Sequence, residues 1–339
     1  EVLIKPFIKK ESQFHGSGYY FYDLNTKVNY KFSDKDRLYL SGYFGKDVFD
    51  FKNARRSFSA NIPWGNATAT LRWNHVFNRK LFANTTIVYN KYNFAFNAAQ
   101  NDFSLSLASG IRDWNAKADV DYYPSPRHKI RFGGQFTNHK FTPNILSGQQ
   151  DTTIFSPKNE SIKFANETGL YIQDDWEISD KIQVHAGLRW SGFAQIGPYT
   201  KYDRDADGNK LDSTVYKSGE LIKSYGGPEP RLTVRYAFND ETSVKASVTR
   251  NLQYIHLVSN AGTTLPTDLW VPSTFRVQPQ KSWLYAAGIF KNFRDNTYET
   301  SVEVYYKKMD NQIEYQEGYT PSVRHPEEEF VYGKGRDYG

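Results

Sequence analysis

The stretch from Asn166 to Phe193 alternates between apolar and polar residues along almost its whole length. Ile182, Val184, Ala186, Leu188 and Trp190 fall on one face, and Gln183, His185, Gly187, Arg189 and Ser191 on the other. A period of two with one apolar face is the pattern of a β-strand. Leu170, Ile172, Trp176 and Ile178 repeat it on the near side of Ser179-Asp180, with Asp174 the one polar intruder. Two such runs about a tight polar turn predict a long antiparallel hairpin.

The same unit recurs. Tyr19 to Phe32 and Leu38 to Phe49 predict one hairpin, Ala67 to Phe77 and Leu81 to Phe94 the next, and Phe103 to Tyr123 and Lys129 to Phe141 a third. After the Asn166 to Phe193 hairpin come Arg231 to Phe238 with Val244 to Tyr254, then Trp283 to Phe293 with Tyr298 to Glu314. The phase slips between Ile111 and Trp114, which predicts a bulge near Arg112-Asp113. Between hairpins lie irregular stretches: Asp50 to Asn66, Pro143 to Ala165, Ala194 to Gly227 and Ile255 to Lys281, all expected to be long loops. The expected organisation is a loop over 1–18, hairpin repeats over 19–315, and a loop with the start of a further strand over 316–339.

About 12 strands follow, with short turns and long loops alternating along the chain. Transmembrane β-barrels sort their connections this way, tight turns on the periplasmic side and long loops outside. A soluble sandwich has shorter strands of about 5–6 residues and no reason to sort its loops by parity. No stretch reaches the roughly 20 apolar residues of a membrane helix, and mean hydropathy is −0.70. A barrel strand escapes such averages because only alternate residues meet lipid. Aromatic residues make up 17% of the chain, 25 Tyr, 24 Phe and 7 Trp, which suits rings placed where hydrocarbon meets headgroup water. Trp73, Trp114, Trp176 and Trp190 share the apolar faces and are expected in such girdles. The fold class expected is therefore all-β, an antiparallel transmembrane barrel segment. Its polar faces would line a lumen, with Arg72, Lys117, Asp119, Asp121, Arg131 and Arg189 among the lining residues.

Catalytic signals are weak. The seven histidines are scattered and none sits in H-E-x-x-H spacing. No G-x-S-x-G or phosphate-loop pattern occurs. Cysteine is absent, which excludes disulfide frameworks and thiolate zinc sites. The net charge of +6 is unclustered, with no basic stripe to bind nucleic acid. The chain therefore reads as a non-enzyme with no cofactor. One string has a metal-like pattern: Asp203, Asp205 and Asp207 at alternate positions followed by Gly208, the start of a calcium loop. Its closing Glu is missing, position twelve being Thr214, and the competing reading is a polar loop ending in an Asp-Gly turn.

Several segments resemble a known family. GLYIQDDWEISDKIQVHAGLRWSGF is similar to a mid-barrel hairpin of TonB-dependent outer-membrane receptors. So are EPRLTVRYAFNDETSVKASVTRNLQYIHL, then PTDLWVPS and QPQKSWLYAAGIFKNF, and earlier YYFYDLNTKVNYKFSDKDRLYLSGYFGKDVF. Their order resembles the Bacteroidetes branch, whose members often carry a carboxypeptidase-regulatory-like domain before the plug. The resemblance implies a barrel of about 22 strands with a plug inside it. It implies a cell outer-membrane location, lipid and lipopolysaccharide around the wall, and TonB acting through a plug. It also implies uptake of a bulky scarce ligand of siderophore, glycan or peptide class, with a surface lipoprotein as a further partner. No plug or coupling box is recognisable here, so the chain reads as roughly half of a receptor barrel. The alternatives are a passive porin of about 12 strands closed on itself, or a barrel subunit of a larger surface assembly. For ligand contact, the expected residues climb one strand into a long loop: Arg250, Asn251, Gln253, Tyr254 and His256.

Overall fold

A computed structural model describes residues 15–150, 153–155, 162–204, 210–258, 269–315 and 330–335. The twelve expected strands are all present, as β1 (Gly18–Lys31), β2 (Asp36–Asn53), β3 (Phe58–Asn78), β4 (Leu81–Gln100), β5 (Phe103–Ser125), β6 (His128–Gln150), β8 (Lys163–Ser179), β9 (Ile182–Ile196), β12 (Leu221–Ala237), β13 (Thr242–Gln253), β16 (Gln280–Phe293) and β17 (Tyr298–Tyr315). Short elements join them: β7 (Thr153–Phe155), the hairpin β10 (Tyr199–Arg204) with β11 (Lys210–Tyr216), the hairpin β14 (Ile255–Val258) with β15 (Leu269–Pro272), and β18 (Phe330–Gly335). One antiparallel sheet runs in chain order from β1 to β18, with β7 attached to β6. Among the described residues β1 pairs with β2 alone, so β1 and β17 do not close the sheet on itself.

The two faces differ as alternation requires. Across β4, β5, β6, β8 and β9 the register stacks convex-face residues in rows: Ala83, Val120, Phe132, Ile172 and Leu188 form one, and Thr85, Ala118, Gly134, Leu170 and Trp190 the next. Leu170 is 67% exposed and Trp190 58%, values a water-soluble sheet would hide beneath a second layer. The opposite face is polar. Asp174, the intruder on the apolar face, accepts a hydrogen bond from His128 Nδ1 at 2.7 Å, and the His128 ring stacks on Trp176. Asp36, His75 and Trp73 make a similar set two hairpins away, Trp73 Nε1 donating to Asp36 at 3.0 Å. Both sets sit beside short turns, at the level where indole rings prefer a membrane interface.

Several expected loops are strand. Asp50 to Asn66 is mostly the paired ends of β2 and β3, joined by a 3-10 turn at Ala54–Arg56. Asn101 and Asp102 alone connect β4 to β5, with Asn101 at φ +50°. The ladders extend because backbone pairing needs no apolar alternation once both faces leave lipid. Polar residues and Pro63 then disguise a strand as a loop. Part of Pro143 to Ala165 likewise belongs to β6, and parts of Ala194 to Gly227 and Ile255 to Lys281 form hairpins of their own. The acidic stretch Glu327 to Glu329 and the first residues 1–14 lie outside the described residues, and the further strand begins at Phe330.

The bulge expected near Arg112-Asp113 is not there. Both residues pair in register with β4 and with β6, and the irregularity in β5 falls between Ala108 and Gly110. The apparent slip of phase has another cause. Ile111 stays on the concave face, where it packs against a buried cluster of Phe141, Ala165, Phe193 and Tyr254.

Candidate functional site on the concave face

Alternation puts Arg72, Asn84, Thr86, Lys117, Asp119, Asp121, Arg131, Tyr171, Arg189 and Arg231 on the concave face, where they line a groove of about 440 Å³. Asp121 is 1% exposed and receives Arg131 through Nε and Nη2, both at 2.7 Å. Both donors converge on the single Oδ1 oxygen, a charge-assisted contact that holds this edge of the guanidinium against Asp121. Lys117 lies 3.1 Å from Asp119 and over the Tyr171 ring, and the Tyr171 hydroxyl donates to Asp119. Five cations and two carboxylates line the groove, so it carries three net positive charges. Arg72 and Arg231 have no carboxylate partner among the described residues.

Toward the far end of the strands a belt of ionisable groups crosses five neighbours in the sheet. His139 of β6 donates or accepts through Nδ1 with Asp113 of β5 at 2.8 Å, and its Nε2 lies 3.7 Å from Glu167 of β8. Arg189 of β9 lies 3.8 Å from Glu167 and 3.4 Å from Glu229 of β12. Glu229 Oε2 then accepts the backbone N–H of Leu252 at 3.3 Å. His139 and Glu229 are each 4% exposed. Gly169 makes room for this arrangement: a Cβ there would stand 2.6 Å from Nη2 of Arg189.

Above the belt the described parts of the connection between β13 and β16, residues 254–258 and 269–279, fold inward. Tyr254 stacks on Phe193 with ring centroids 5.2 Å apart, and its hydroxyl meets Ser191 Oγ at 2.9 Å. Phe275 N donates to Gln195 Oε1 at 3.1 Å, Tyr225 to the Thr274 carbonyl at 2.7 Å, and Asn311 to the Pro279 carbonyl at 3.0 Å. Val258, Val271 and Val277 form a small core of its own. β15 touches β5 and β6, while β14 touches β17. A segment that reaches strands so far apart in sheet order requires the sheet to curl, and it crosses the concave side. His256 is 1% exposed within it, with Nε2 3.2 Å from Ser273 Oγ and no hydrogen-bond partner for Nδ1. Burial pushes this imidazole, which stands outside the membrane-spanning strands, down to about 4.

The five residues expected to touch ligand therefore separate. Tyr254 and His256 are buried in the anchor of the inward loop. Asn251 and Gln253 lie on the concave face, Gln253 Nε2 donating to the Ile255 carbonyl at 2.8 Å. The unbroken register of β13 with β16 puts Arg250 on the convex side with Val248, its guanidinium over the Trp283 ring. Of the metal-like string, Asp203 lies in β10 with Lys201 Nζ at 2.9 Å, and Asp205 and Asp207 lie outside the described residues. Among the described residues no group of three or more His, Cys, Asp or Glu could hold a metal ion. Sequence reading missed the belt, because its five members lie on five separate strands and no local spacing joins them.

An antiparallel sheet with an apolar outer face, a polar inner one and an inward loop defines the wall of a membrane barrel. The family model described as TonB dependent receptor-like, beta-barrel, matches residues 9–332, and the chain belongs to that family. Solved structures agree at the level of fold. The ferric-catecholate import receptor Fiu of E. coli K12, closed form, superposes with a TM-score of 0.58 at 12% identity over 95% of this chain and 54% of that one. The copper transporter OprC gives 0.62 at 11% identity over 88% and 46%. The hemophore receptor HasR of Serratia marcescens, solved with its hemophore and heme, gives 0.55 at 14% over 87% and 46%. The chain spans about half the length of these structures. A search of curated protein sequences returned no match.

Proposed function

We propose that this chain is part of the wall of an outer-membrane receptor that takes up a bulky, scarce ligand under TonB control. The observation that carries the reading is the family match over residues 9–332 on a sheet whose inner face carries a groove lined mainly by charged and polar residues. In a complete barrel of about 22 strands that face surrounds a plug, and a half-wall edge left in lipid would expose unpaired backbone groups. Arg72 and Arg231, without carboxylate partners among the described residues, suit a lumen that packs against other polar surface. The inward loop narrows the outer mouth, so passage would depend on rearranging what fills the lumen. Asn251 and Gln253 are the ligand-contact candidates that face inward, beside the anchored Tyr254. Siderophore, glycan and peptide ligands all suit aromatic and amide donors. A surface protein partner fits as well, since one structural neighbour was solved with its hemophore. The wall performs no covalent step in this reading and needs no resident cofactor.

The test is uptake by cells that carry the receptor, with and without TonB. Accumulation of the ligand should require TonB. Accumulation that persists without it, together with free passage of unrelated small solutes, would favour a passive pore instead.

A further inference from the structure

On the convex face of β4, β5 and β6 the residues change character in one step. The rows containing Leu81, Ala83, Thr85 and Ile87 carry no lysine or arginine across these three strands. The next row up is Tyr89, Trp114, Asn138 and, on β8, Asn166. Its two rings are 4.8 Å apart and Asn138 Nδ2 donates to Asn166 at 2.9 Å. Trp114 and Tyr122 are eight residues apart in β5, about 26 Å along the strand and about 20 Å along the membrane normal at a tilt of about 40°. The row of Trp114 thus marks the outer edge of the hydrocarbon. Directly above it Lys91 stands opposite Arg112, and Arg112 opposite Lys140.

Three cations side by side repel one another, and like charges directly opposite weaken a sheet. None of the three has a carboxylate partner among the described residues. Asp113, next in sequence to Arg112, points to the concave face and is engaged by His139. Arg112 Nε is buried and has no hydrogen-bond partner. A planar guanidinium with a donor to spare, flanked by two ammonium groups at headgroup height, has the chemistry of a phosphate receptor.

We propose that Lys91, Arg112 and Lys140 form a binding site for the phosphate of an outer-leaflet lipid. The assignment rests on the reading that the convex face meets lipid, and it adds a particular headgroup to a particular place. Trp114 and Tyr89 support the acyl and glycerol or sugar region below, while the three cations take the charge. The site would fix one lipid against the wall at β4 to β6.

The test uses the protein purified from outer membranes and returned to nanodiscs of phosphatidylcholine doped with lipid A, either phosphorylated or dephosphorylated. Lipid retained by the protein is counted by native mass spectrometry, alongside K91Q/R112Q/K140Q and, as a concave-face control outside the groove, K245Q. The wild type and K245Q should hold phosphorylated lipid A about a hundredfold more tightly than the triple variant, from the usual attraction of each surface cation to anionic lipid. The dephosphorylated lipid should be held alike by all. Equal retention of phosphorylated lipid by the triple variant would overturn the proposal. So would displacement of the lipid by millimolar inorganic phosphate, which would assign the row to a soluble anion. A spin label at Ile87 keeps the two readings separate. If lipid-borne relaxation agents reach it in every variant, failure of the basic row leaves the membrane barrel standing. If they do not reach it, the barrel reading falls and the site falls with it.

Discussion

His256 is the residue whose chemistry is most constrained. It is buried neutral, its Nδ1 unpartnered and its Nε2 on Ser273. In the docked loop it takes a proton only near pH 4, against an ordinary value of 6.5. The undocked loop therefore binds the proton first as pH falls. Docking is fully favoured above about 6.5 and weakens progressively down to about 4, by about 3 kcal/mol at most. Hydrogen exchange of Ile255 to Val258 should accelerate between pH 6.5 and 4.5 in the wild type. His256→Gln should remove that dependence, and exchange that is flat with pH in the wild type would contradict the account. A Cβ at Gly169 would meet only the mobile end of the Arg189 side chain, so Gly169→Ala should shift the guanidinium without removing it. Arg189→Gln should instead leave the nearly buried Glu229 without its cation, and a loss of roughly 3–5 kcal/mol is the usual cost of such a break. Urea unfolding from vesicles would measure it, and an unchanged midpoint would show that the belt does not stabilise the wall.

Among elements, β8 and β9 give the clearest asymmetry. Leu188 sits on the convex face in the row with Ile172, and Gln183 on the concave face of the same strand. Leu188→Arg should cost about 2–4 kcal/mol, the penalty for a cation near the bilayer midplane, while Gln183→Arg should cost little. Folding titrations into lipid vesicles separate the two, and equal penalties would mean the faces are misassigned. These strands were legible in the sequence because lipid enforces strict alternation. Their far ends were not legible for the same reason. Past the headgroups nothing demands alternation, so Asn61 and Pro63 looked like loop while their backbone stayed paired with β2. Ile111 misled in the opposite direction, since an apolar residue on the concave face imitates a shift of phase until its partner Phe141 is seen beside it.

At the scale of the molecule, the family was readable from the order of the hairpins, and the functional face was readable only as a list of polar residues. The belt from Asp113 to Glu229 and the row from Lys91 to Lys140 exist through strand register, which a single strand does not encode. The inward loop is a similar case: Tyr254 and His256 read as ligand-contact candidates because they climb one strand into a long loop, and the structure buries both where that loop packs on the sheet. One face of this sheet meets lipid and the other a polar lumen. The chain has no cysteine, so single cysteines can be placed from Ile182 to Ser191 without background. Labelled with a fluorophore in nanodiscs containing lipid-borne quenchers, Ile182, Val184, Ala186, Leu188 and Trp190 positions should be quenched, and Gln183, His185, Gly187, Arg189 and Ser191 positions should instead be reached by a water-soluble quencher. Quenching without a period of two, or with the opposite phase, would contradict the account.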